Sequence, residues 1–139
     1  PISLIKCNMT HLQNKSDILM EAAKLSHDKG FYPAVAHNSY YCCFQLLKHI
    51  WLHSIKRTEY DLRIKCKSES KGSHEVLINE ICKYIKGFSF SDYRIFNANI
   101  GQLKELRVNA DYKDELFDKT KSYNSIALSN KIILILKRY

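Results

Sequence analysis

PAVAHNSYYCCFQLLKHIWLH, residues 33–53, is the longest stretch of this chain without a turn signal. At helical spacing His37, Tyr40, Phe44, Leu47 and Trp51 fall on one stripe, and Val35, Cys42, Leu46 and Ile50 on another side. A helix that is apolar on more than one side is packed on more than one side. The stretch therefore reads as a central helix, touching its own core and a second subunit. Gly30 suits the left-handed position that closes a preceding helix, and Pro33 suits a first turn, where its missing N–H costs nothing.

Four glycines and two prolines in 139 residues favour long helices over a turn-rich β fold. The length is that of one domain with a real core, over residues 1–139. Residues 1–9 read as an N-terminal lead without the order of a secretion leader. The most apolar run, residues 132–136, has five residues, far short of a membrane span. Five cysteines, at 7, 42, 43, 66 and 82, form no CxxC pair and read as reduced thiols of a cytoplasmic protein. The formal charge of +8 points to a nucleic acid, a nucleotide or an acidic protein surface as partner.

Outward from the central helix, Thr10-His11-Leu12-Gln13 fits a capping box that opens a first helix, with Ser16 as an alternative start. That helix runs to about Lys29 with Leu12, Leu19, Ala22, Ala23 and Leu25 inward. Residues 55–72 lack apolar periodicity and read as a basic loop: positions 56–71 hold six basic and three acidic residues. Lys56, Arg57, Arg63, Lys65, Lys67 and Lys71 are its candidate phosphate contacts. Ser73 is expected to cap a third helix that stops at Gly87, burying Val76, Leu77, Ile81 and Ile85. A fourth helix spans about 91–112, with Phe96, Ile100, Leu103, Arg107 and Ala110 in one set of rows. Gly101 in its middle predicts a close packing contact. A fifth begins near Asp118, with Tyr123, Ile126, Ala127, Ile133 and Leu136 inward. The expected fold is all-α, an up-and-down antiparallel bundle of four to five helices.

Dinucleotide, P-loop and serine-hydrolase signatures are absent, and no cofactor is expected. His49 and His53 share a helix face, but neither an HExxH glutamate nor a third ligand accompanies them, so no metal site is expected. Arg107 and Asp111 are four apart and can pair along their helix.

Three segments, in order, resemble the HEPN family of small helical domains: AVAHNSYY at 34–41, KGSHEV at 71–76 and LRVNADYKD at 106–114. The resemblance is to the small stand-alone branch with ADY in the fourth helix, and covers roughly residues 14–138. It implies a bundle that dimerises and brings the fourth-helix arginines of two copies to one cleft. In active members an arginine is followed, four to six residues on, by a histidine, and RNA is cleaved without a metal. Here the arginine is Arg107, and no histidine follows His74. Asp111 and Tyr112 stand near the missing position, and His74 either packs at its helix start or turns into the cleft to supply an imidazole.

Three functions follow as expectations. The first is a catalytically weak or inactive module that binds RNA, a nucleotide or a nucleotidyltransferase-type protein, within a toxin–antitoxin or phage-defence pair. Its binding residues are Arg107, Asn109, Tyr40, Tyr41 and the basic positions above. The second is a divergent metal-independent ribonuclease toxin using Arg107, Asp111, Tyr112 and His74. The third is a dimerisation domain alone.

Overall fold

Local capping signals account for most helix starts. In a computed structural model that describes residues 9–139, α1 (His11–Asp28) opens on the Thr10–Gln13 capping box, with both reciprocal hydrogen bonds formed. Gly30 follows it at φ +77°, a conformation that favours glycine. Pro33 sits in the first turn of α2 (Tyr32–His49). This helix runs on into a π-helical turn, Ile50–Ser54. Then come α3 (Glu59–Glu69), α4 (Ser73–Lys86), α5 (Phe90–Tyr112) and α6 (Lys119–Leu136). Asp118 caps α6 by accepting from the Lys121 N–H. No strand occurs among the described residues.

The fold is thus an all-α bundle, with α2 at its centre against α1, α4, α5 and α6. Val35, Ala36, Tyr40, Cys42, Cys43, Phe44, Leu46 and Leu47 are all buried within the one chain. Its many-sided apolarity is therefore met by four helices of its own subunit, which removes the argument for a second copy drawn from α2. Eight of the nine positions of the lead lie outside the described residues.

Five expectations need correction. Residues 59–69 are not loop but α3, opened by a capping box between Thr58 and Asp61. Its apolar signal is slight because Leu62 is its one buried residue. It is held by Leu62 and by the Lys65–Glu80 ion pair at 2.9 Å to α4, while the Trp51 indole donates to the Thr58 carbonyl at its start. Second, Ser73 is the first residue of α4 rather than its cap; Gly72 occupies that position without a side-chain hydrogen bond.

Third, the inner face of α6 is Ser122, Ser125, Ser129, Ile132, Ile135 and Leu136, whereas Tyr123 is exposed. Serine can be buried there because each hydroxyl has a partner: Ser125 donates to the Lys121 carbonyl and Ser129 to that of Ile126, while Ser122 bonds to the His27 ring of α1 at 2.8 Å. Leu25 of α1 likewise faces outward, its place taken by Ser16, Met20 and Ala23. Finally, a Cβ at Gly101 would meet nothing within 4 Å, so no close contact inside the chain explains that glycine.

Candidate functional site

Arg107 lies on the buried stripe of α5, two turns on from Ile100, and is only 8% exposed. Its guanidinium carbon stands 5.0 Å from the Tyr40 ring centre and 5.6 Å from those of Tyr41 and Tyr112. Three aromatic rings in cation–π range offset part of the cost of taking this charge out of water. The carboxylate of Asp111 is 3.7 Å from Nη1, too long for a strong hydrogen bond, and Nε is buried with no partner among the described residues.

Two histidines complete the cluster, both from other helices. His37 of α2 donates from Nδ1 to Oδ2 of Asp111 at 2.9 Å, since a carboxylate only accepts. Its other ring nitrogen is then left for a ligand or a proton. His74, in the first turn of α4, is 2.8 Å from the Tyr40 hydroxyl through Nδ1 and stacks on Phe44 at 4.2 Å. Burial, then the neighbouring charges of Arg107 and Lys104, hold its imidazole below the ordinary histidine value. Burial pushes the Tyr40 phenol well up, against the opposing pull of Arg107, so it stays a neutral donor.

The helices thus bring together Arg107, Asp111, Tyr40, Tyr41, Tyr112 and His74. Asn109 is elsewhere: two residues on from Arg107, it lines a separate cleft with Asn124, Leu128 and Lys131. The basic positions also divide. Arg63, Lys67 and Lys71 line a groove of about 820 Å³ between α3 and α4 that reaches His74. Lys65 turns away and pairs with Glu80 and Glu69. Lys56 and Arg57 sit exposed in the turn before α3, outside the groove.

Sequence reading singled out neither His37 as a site residue nor the groove's Phe44 and Lys48. The one signal for His37 was its place on the helical stripe that carries Tyr40, Phe44, Leu47 and Trp51. The His49 and His53 rings stack 5.1 Å apart, and His49 bonds to the Thr10 hydroxyl. Among the described residues no three His, Cys, Asp or Glu side chains gather as a metal site. Cys42, Cys43, Cys66 and Cys82 are free thiols. None of the described helices is long and apolar enough to cross a membrane.

What this cluster can do is receive an anion. It offers a semi-buried cation with an unused N–H, aromatic walls, and two imidazoles that can each exchange or share a proton. No family model, curated protein or solved structure matches the chain.

Proposed function

We propose that this chain is a small HEPN-like module that binds RNA or a nucleotide, and that it is catalytically weak or inactive. The observation that carries the reading is Arg107. A buried cation with one loose carboxylate and an unpartnered Nε costs free energy, and an arriving phosphate would supply the missing acceptor. The cationic groove is lined by His74, which bonds to the Tyr40 hydroxyl, and extends the surface available to a polyanion. The resemblance adds a homodimer and a nucleotidyltransferase-type protein as an alternative partner in a toxin–antitoxin or phage-defence pair, and the unpaired cysteine pattern adds a cytoplasmic setting.

One observation favours a second reading, the divergent ribonuclease. His37, fixed by Asp111 next to Arg107, offers a ring nitrogen that could take the proton of an attacking hydroxyl. Labelled RNA mixed with the purified protein separates the readings. Binding without chain cleavage supports the module. Robust cleavage that vanishes in both Arg107→Ala and His37→Ala supports the ribonuclease. Neither binding nor cleavage at low salt leaves protein assembly as the function.

A further inference from the structure

The groove between α3 and the start of α4 holds more positive charge than the protein neutralises. Lys48, Arg63, Lys67 and Lys71 line it against a single carboxylate, Glu59. Lys48 is committed to Glu59 at 2.7 Å, and Lys71 stands 4.0 Å from Glu75. Arg63 and Lys67 have no carboxylate within ion-pair range among the described residues. Like charges gathered on one concave surface repel until an anion enters.

The groove wall adds neutral donors. Tyr40 is fully buried, and the His74 Nδ1 is the one acceptor its hydroxyl proton has among the described residues. The neutral imidazole therefore carries its own proton on Nε2, which has no partner among the described residues, and His74 lines the groove. Gly72 and Ser73 line it too, at the start of α4. Gly72 has φ −73° and ψ 162°, a backbone that any residue adopts, and a Cβ there would meet nothing within 4 Å. Nothing in the fold demands glycine, yet the capping position is left without a side chain, and the first N–H groups of α4 stay bare.

The remaining wall is apolar. Phe44 and Leu62 are buried beneath the groove, and the Phe44 ring stacks on His74. A space of about 820 Å³ is far larger than an inorganic ion needs and falls among small-molecule sites.

We propose that this groove is a nucleotide phosphate site, in which Arg63, Lys67 and the bare N–H groups of α4 hold a phosphate ester while His74 donates from Nε2. The Phe44–His74 wall then faces the sugar and base. The proposal deepens the nucleotide reading above and rests on it for the ligand class. A phosphomonoester is offered alike by a free mononucleotide and by the 5′ end of an RNA.

Amide NMR of the full chain tests it, with AMP, adenosine, and a short RNA carrying a 5′-phosphate as probes. AMP or the phosphorylated RNA should shift the amides of Ser73, His74, Glu75 and Val76, and adenosine should not. Tighter binding of AMP points to a free nucleotide, and tighter binding of the RNA to a strand end. Gly72→Asp should fill the cap, keep or raise the thermal midpoint, and weaken binding at least about tenfold, as expected for setting a carboxylate against the phosphate. Arg63→Gln should weaken it as well. Silence of these amides to both phosphorylated probes, equal binding of adenosine, or indifference to Gly72→Asp would overturn the proposal. RNA binding with silent α4 amides would remove the groove and leave the RNA reading. AMP binding at α4 without RNA binding elsewhere would do the reverse.

Discussion

At the scale of the residue, Arg107 is a near-balance of opposed terms. Desolvating a guanidinium costs several kcal/mol, and its orphaned Nε adds about 1–3 kcal/mol. Three ring contacts return about 1 kcal/mol each, and Asp111 at 3.7 Å returns less than a well-formed pair would. Arg107→Met keeps the bulk and removes the charge, so urea unfolding should show a change within about 1 kcal/mol of zero. A loss of about 3 kcal/mol or more would mean that the arginine is there for the fold. The same variant removes a cation that disfavours protonation of His74, so the His74 imidazole should titrate at higher pH by NMR. An unmoved titration would deny that the two groups face each other.

The sign for stability follows from the same shift. His74 and His49 both protonate less readily folded than unfolded: His74 mainly through burial, His49 through burial and then His53. As pH falls through the ordinary histidine range toward their folded values, the unfolded chain takes up protons first. Stability is then lost. Thermal midpoints should decline over that interval and less so in His49→Gln.

At the scale of the element, the exposed Gly101 in α5 gives a clean test. With open space around its Cβ position, Gly101→Ala should stabilise the chain by up to about 1 kcal/mol through helix propensity. Destabilisation or loss of a dimer would instead reveal a neighbouring copy packed there. The element scale is also where the sequence was easiest and hardest to read. Thr10, Gly30, Pro33 and Asp118 marked helix ends correctly because capping is chemistry among residues a few positions apart. The Thr58-x-x-Asp61 box was equally local, but α3 buries only Leu62, and a search for apolar rows passes over such a helix. The serine face of α6 was invisible for a related reason: Ser125 and Ser129 are satisfied by their own helix and Ser122 by His27 of α1, which periodicity of apolar residues does not register. Within the candidate site, Arg107 and Asp111 were legible as neighbours on one helix. The His37–Asp111 contact spans 74 positions and the His74–Tyr40 contact 34, so only the packed helices bring them together.

At the scale of the whole molecule, stability is uneven. Nine residues of α2 are buried and one of α3, and a fully buried large side chain contributes roughly 1.5–3 kcal/mol. Amides of α3 should therefore exchange through local opening, well before those of α2, which should exchange only on global unfolding. Equal protection of the two helices would contradict this. A helix that opens easily and carries Arg63 and Lys67 on the groove is suited to adjust around a polyanion, and the central claim is that a polyanion binds there and at Arg107. The most direct measurement is RNA affinity as a function of salt for the parent chain, the Arg63→Gln/Lys67→Gln double variant and Arg107→Met. The account predicts a steep fall in the parent. It predicts a slope shallower by about 1.4 in the double variant and by about 0.7 in Arg107→Met, at about 0.7 per lost phosphate contact on a single strand. Parent and variants binding RNA with the same affinity and the same slope would contradict it.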